Sequence, residues 1–162
     1  IGCFDETIKQ QRKYFLNDVG IGIDADLINI LNHSKFSFRI LRSFSAIFSL
    51  LYNLQSFQLE IYKNHRTHTY RNVFLANVSV AKNPATGFKL MIIKRKNFLN
   101  TFYIFLKLLF SRTHQLRGVK YLTSPHLHIG IPTLEYGHAD GEELGSRFYD
   151  LYYHPAHYPF IM

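Results

Sequence analysis

Leu134-Glu-Tyr-Gly-His138, Asp140-Gly141-Glu142 and Phe148-Tyr-Asp-Leu-Tyr-Tyr153 read in turn as strand, tight turn and strand. An Asp-Gly pair between such runs is a strong short-range hairpin signal, because Gly supplies the left-handed backbone that the turn demands. A hairpin does not need an acid on both sides of that Gly. With 19 Lys+Arg against 11 Asp+Glu in the chain, two acids crowded on one turn point to chemistry as well as to a turn.

Working outward, strands dominate. Tyr14 to Val19 reads as a strand ended by Gly20-Ile21-Gly22. Leu59 to Tyr62, Tyr70 to Val80, Gly87 to Arg95, Val119 to Leu122, His126 to Ile131, Leu134 to His138 and Phe148 to Tyr153 also read as strands. His154-Pro155 and Pro159 stop the last one. Asp24 is the N-cap of a short helix to Asn32. Phe38, Leu41, Phe44, Ile47, Phe48, Leu51 and Leu54 recur at helical spacing, which predicts a long helix from Ser37 to Phe57. Asn97 opens a further helix running to about Phe110. Strands with inserted long helices, and no βα alternation, predict a mainly β, α+β domain built as an antiparallel sandwich.

Composition bounds the rest. The 47% hydrophobic and 19% charged fractions are globular values, so disorder is excluded and 162 residues make one domain or a large piece of a longer protein. The start at Ile1, with no Met and no signal peptide, is read as that of a fragment. The single Cys3 forms no internal bridge and fits a reducing compartment. The uncharged stretch between Arg42 and Glu60 holds too many Ser, Asn and Gln residues for a transmembrane span, which needs about 20 predominantly apolar residues. The net charge of +8 favours polyanions. No nucleic-acid motif is present, so DNA or RNA ranks below an anionic membrane. Lys94-Arg95-Lys96, Arg112, Arg117 and Lys120 form either a solvated edge or a basic rim for such a surface.

Two further patterns carry possible chemistry. Val19-Gly-Ile-Gly-Ile-Asp-Ala25 has the outline of a dinucleotide fingerprint. Asp24, however, places negative charge where pyrophosphate would bind, and no acid follows about 20 residues later. A capped turn, or an Asp24 that accepts hydroxyl hydrogen bonds from a polar ligand, fits better. His126-x-His128 and His154-x-x-His157 lack the ligand spacing of a structural zinc site.

Several pieces then fall in one order. They are Asn17-Asp-Val-Gly-Ile-Gly-Ile-Asp-Ala-Asp26, Asn72-Val-Phe-Leu-Ala-Asn-Val78 and Asn83-Pro-Ala-Thr-Gly-Phe-Lys-Leu-Met-Ile-Ile93, followed by Arg112-Thr-His114, Val119-Lys-Tyr121 and Asp140-Gly-Glu142. Over nearly its whole length the chain resembles the C-terminal domain of the diacylglycerol kinase catalytic family, bacterial lipid kinases related to sphingosine kinases. The resemblance implies a two-domain enzyme whose N-terminal α/β half carries a Gly-Gly-Asp-Gly-Thr nucleotide loop and whose C-terminal β-sandwich binds lipid. Residues 1–162 match the second half only, and alone they are expected to be inactive.

By the resemblance, Asp140 and Glu142 supply the general base for the lipid hydroxyl, with the choice between them open. Asp24, with Gly20 and Gly22 before it, matches the position that contacts the lipid headgroup. ATP and Mg2+ serve the parent enzyme and are not held by this half. The implied partners are the nucleotide-binding domain, a diacylglycerol-like lipid, an anionic membrane surface bound peripherally from the cytoplasm, and a second copy in a homodimer. The sequence departs from the family at the loop whose Asp holds a structural Mg2+. Here Pro84-Ala85-Thr86-Gly87-Phe88 is shorter and carries no acid, so the resemblance names no ligand for that metal in the 82–89 loop. Ser79-Val80-Ala81-Lys82 stands where a Gly-rich turn is expected. A non-catalytic lipid- or membrane-binding module on the same fold is the alternative reading.

Overall fold

Phe57, Leu59 and Ile61 alternate with Gln58 and Glu60, and the three apolar side chains are buried while the two polar ones are half-buried. That period of two is what a strand with one face on a core requires. The same rule builds most of the chain. In the computed structural model, residues 1–22, 48–49, 52, 55–82, 87–110 and 119–155 are described, apart from the side chains of 105–110 and 146. They form strands β1 (Gly2–Glu6), β2 (Gln11–Phe15), β3 (Asp18–Gly22), β4 (Phe57–Lys63), β5 (Arg66–Val80) and β6 (Phe88–Lys94). Helix α1 (Phe98–Phe110) follows, then β7 (Val119–Ser124), β8 (Leu127–Ala139) and β9 (Glu142–Pro155).

Every pairing is antiparallel. Strands β3 and β4 each pair with both β5 and β8, so these four close into a small ring. From β8 the sheet continues through β9 and β1 to β2, and from β5 it continues through β6 to β7. The main core takes Val19 and Ile21 from β3, Leu59 and Ile61 from β4, Val73 and Val78 from β5, and Ile129 and Ile131 from β8. Phe4, Phe15, Phe88 and Tyr153 extend it beneath the wings, their rings packed at centroid separations of 5.7 to 6.1 Å. Each such side chain contributes about 1.5–3 kcal/mol on burial. A second cluster joins Ile104 of α1 to Phe74, Leu75 and Ile93 on the sheet. The first turn of α1 closes where Thr101 donates its backbone N–H to the carbonyl of Asn97 at 3.0 Å, the residue expected to open it.

The expected hairpin is present. Ala139 pairs with Glu142 across a two-residue loop, in which Asp140 and Gly141 have φ of 50° and 83°. Positive φ at both central positions is the type I′ turn that matches strand twist.

Other expectations are corrected. The strand predicted from Tyr14 to Val19 is broken at Leu16-Asn17, and its halves belong to β2 and β3. Gly20-Ile21-Gly22 does not follow the strand as a turn but forms the last three residues of β3. His126 to Ile131 and Leu134 to His138 are one strand, β8, whose register shifts between Ile131 and Glu135. Phe57 opens β4 and is not the end of a helix; Phe48, Ser49 and Tyr52 are helical, and the rest of the predicted Ser37 to Phe57 helix falls largely outside the described residues. The rings of Phe48 and Tyr52 sit 5.4 and 6.2 Å from that of Phe98, so this stretch lies against α1. The predicted helix from Asp24 to Asn32 lies outside the described residues. Among the described residues no helix is long and apolar enough to cross a membrane.

Gly22 has φ of 100°, and a Cβ placed there would stand 2.4 Å from the Phe74 carbonyl oxygen and 2.8 Å from the Phe57 ring. Gly22→Ala is therefore expected to lower stability by about 2 kcal/mol or more. Urea unfolding should show an earlier midpoint at unchanged slope. An unmoved midpoint would mean that the backbone at this position does not require glycine.

Candidate active site

The turn between β2 and β3 leaves consecutive backbone N–H groups without sheet partners, and such groups need an acceptor. Asp140 provides it from the tip of the β8–β9 hairpin. Its Oδ2 accepts from Leu16 N–H at 2.6 Å, and its Oδ1 accepts from Asn17 and Asp18 at 2.7 and 3.1 Å. The Asp140 N–H donates back to the Asp18 carbonyl at 2.9 Å. Partial burial pushes the Asp140 pKa up, but the three N–H groups, helped by nearby His138, more than reverse this and hold it below the usual aspartate value. A carboxylate so occupied is a poor proton acceptor.

Glu142, two residues on, is placed differently. It is exposed at the first position of β9, and among the described residues its carboxylate has no hydrogen bond or ion pair. Between this hairpin and β2 lies a cleft of about 350 Å³, lined by Arg12, Lys13 and Tyr14 on one side and by Ala139, Asp140, Glu142, Glu143 and Leu144 on the other. Arg12 is clamped by Asp5 through bonds of 2.6 and 3.0 Å. That arginine, with a smaller contribution from His154, holds the Asp5 carboxyl below its ordinary value. Lys13 makes no ion pair among the described residues. The cleft thus has on its lining both Glu142, whose carboxylate is unengaged among the described residues, and Lys13, which makes no ion pair among them. That arrangement suits accepting a proton beside an anionic group.

Gly20 and Gly22 sit in β3 and do not line this cleft. Gly20 pairs with Asn77 on one side and His138 on the other. Asp24 lies outside the described residues. Arg12, Lys13, Tyr14 and Glu143 were missed in the sequence. Asn17-Asp18 was the available signal, since Asn and Asp favour turns and could have split the predicted strand. What brings β2 to the hairpin is a pairing across the whole chain, which no local pattern shows.

The histidines have other partners. His128 bonds Asp150 at 2.5 Å and packs in a tilted arrangement against Tyr62 with ring centroids 4.5 Å apart, while His154 bonds Asp5 at 3.0 Å. Among the described residues no group of three or more His, Cys, Asp or Glu side chains is arranged to hold a metal. The 82–89 segment contains no acid.

No protein-family profile and no curated protein matches the sequence. Solved structures do match its fold. A candidate diacylglycerol kinase from Bacillus anthracis str. Sterne superposes with a TM-score of 0.58 at 11% identity, over 95% of this chain and 54% of that one. A second candidate diacylglycerol kinase from that organism gives 0.54 at 15% identity, over 95% and 53%. A third structure, of a diacylglycerol kinase from the same source, gives 0.50 at 11% identity, over 95% and 49%. At these identities the likeness is one of fold. The chain spans about half the length of each.

Asp140→Ala should remove the clasp between the two turns and lower stability by about 1–2 kcal/mol, the lower part of the range for hydrogen bonds to a charged group because the turn faces solvent. The pKa of Asp140 is depressed in the folded state. Its contribution is therefore full above the unfolded value near 3.9 and is lost as pH falls through the lower folded value. Denaturation followed between about pH 2 and pH 6 should accordingly show a shallower acid limb in the variant. Parallel curves would show that the clasp carries no stability.

Proposed function

We propose that this chain is the lipid-side half of an ATP-dependent lipid kinase that transfers phosphate to a diacylglycerol-like hydroxyl. The observation that carries the reading is the unoccupied Glu142 carboxylate on the rim of the cleft, beside an Asp140 that the backbone holds. The fold likeness to diacylglycerol kinases, over about half their length, supports it. Residues 1–162 then form one domain of β-sandwich type, with the ring and its wings as the two layers.

Glu142 is the general base and Asp140 a positioning residue. Glu142 takes the proton of the lipid hydroxyl, and the oxygen attacks the γ-phosphorus of ATP. The bond from that phosphorus to the bridging oxygen breaks, and ADP leaves. ATP is held by a nucleotide-binding domain that is not within these residues. Lys13 faces the incoming phosphoryl charge. Gly20 and Gly22 bring β3, and Asp24 beyond it, to the lipid headgroup. Lys94 and Lys120 lie 5.4 and 4.7 Å from the centre of the Tyr70 ring. This basic, aromatic patch suits peripheral contact with anionic lipid on the cytoplasmic side. A homodimer belongs to the same reading.

In the two-domain protein, Glu142→Gln should lower kcat for diacylglycerol phosphorylation by about 10²–10⁴-fold, with little change in melting temperature. Asp140→Asn should lower stability as well as rate. Undiminished turnover in Glu142→Gln would remove the base assignment. If the wild-type protein does not phosphorylate the lipid but sediments with anionic vesicles, the non-catalytic membrane module is the correct reading.

A further inference from the structure

The β8–β9 hairpin does not keep one register. Glu135 pairs with Arg147 and Gly137 with Gly145, but His138 pairs with Glu143 and Ala139 with Glu142, so Leu144 is an extra residue on β9. That is a β-bulge, and Gly145 beside it takes a left-handed φ of 86°. The extra residue exchanges the two sides of the strand. Along the body of β9, Tyr149, Leu151 and Tyr153 lie in the core, whereas beyond the bulge it is Leu144 that does. Alternation then places Glu142 on the side of Leu144 and Glu143 on the other. Ala139, which Glu142 meets across the ladder, also belongs to the core. Continued without the bulge, the Gly137–Gly145 register would set Glu143 opposite Ala139 and leave Glu142 in the turn.

One buried side chain holds the bulge. Tyr149 Oη donates to the Gly145 carbonyl at 2.5 Å. The hydroxyl occupies the place of the side chain missing at Gly137, where a Cβ would stand 2.6 Å from it. Gly137 has no positive φ, so this close approach is what requires the glycine. Tyr149 is itself fixed. It is buried, the Arg147 guanidinium carbon lies 5.2 Å from its ring centre, and Arg147 Nη1 is 2.9 Å from buried Glu6. Tyr149 does not line the cleft, so it acts there only through the strand.

We infer that Tyr149 is a positioning residue: by clasping the Gly145 carbonyl it locks the bulge, and so it selects Glu142 rather than the adjacent Glu143 as the carboxylate set opposite Ala139. This rests on the proposed lipid-kinase reading, in which Glu142 is the base, and deepens it.

The test uses the two-domain protein. Tyr149→Phe keeps the ring in the core and removes only the hydroxyl. Tyr153→Phe is the control, because the Tyr153 hydroxyl is also buried but has no hydrogen bond among the described residues. Phosphorylation of dioctanoylglycerol gives kcat and KM, and cross-strand nuclear Overhauser contacts of labelled Ala139 report the register directly. In wild type Ala139 should contact Glu142. Tyr149→Phe should weaken that contact in favour of Glu143 and lower kcat about 10- to 100-fold, with the KM for lipid changed by less than about twofold. Tyr153→Phe should alter neither register nor kcat. An unchanged register in Tyr149→Phe overturns the inference even if kcat falls, as does an equal loss of kcat in Tyr153→Phe or a wild type in which Ala139 meets Glu143. A shifted register with undiminished kcat leaves Tyr149 as the lock of the bulge and removes Glu142 as the base. A shifted register in a protein whose wild type phosphorylates no lipid leaves the lock standing and removes the kinase reading.

Discussion

One carboxylate joins two turns that lie at opposite ends of the sequence. The chain leaves β2, at the outer edge of the sheet, and enters β3, inside the closed ring, across only Leu16 and Asn17. A turn that short cannot satisfy its own N–H groups within the ladder. Asp140 does so from the β8–β9 hairpin, through both of its oxygens. Consecutive N–H groups gathered on one anion form a concave nest. The walls of the cleft are the two elements that this nest holds together, so cleft and clasp stand or fall as a unit.

How far the sequence could be read depended on where each residue finds its partner. β4 and β6 were legible because their alternation is local and their inner faces are apolar. Helix α1 was legible from its apolar periodicity and from Asn97. β1 was not read, and its composition explains why. Asp5 and Glu6 sit in Gly2–Glu6 where a strand pattern would want apolar or neutral residues. Both are matched by cations outside the strand: Arg12 of the neighbouring β2 grips Asp5, and Arg147, far along the chain, approaches buried Glu6 at 2.9 Å. A buried carboxylate is tolerable only with such a partner, and Arg147 lies almost at the other end of the chain. The break suggested at Pro132-Thr133 misled in the opposite direction, since β8 carries its irregularity there without ending.

The Asp-Gly-Glu stretch was legible as a turn and as a pair of acids, but not as a division of labour. Two carboxylates of similar intrinsic acidity are placed in unlike surroundings, which is how a fold gives such groups different tasks. The backbone saturates Asp140 and depresses its pKa. Glu142 stands at the cleft, unengaged among the described residues. Sequence alone shows neither fact, because both depend on what β2 and β3 bring to the hairpin.

The same distinction separates the two glycines of Gly20-Ile21-Gly22. As a motif they read as one feature, a Gly-rich turn before Asp24. In the sheet they answer to different constraints. Gly22 is fixed by its left-handed φ and by the Phe74 carbonyl, so backbone geometry accounts for it completely. Gly20 has no positive φ, and any residue could adopt its backbone. A glycine in a strand interior costs stability relative to a residue that packs, and it commonly marks a place where something else must come close. Gly20 is buried between Asn77 and His138, so its lack of a side chain answers to what packs on that face rather than to its own φ.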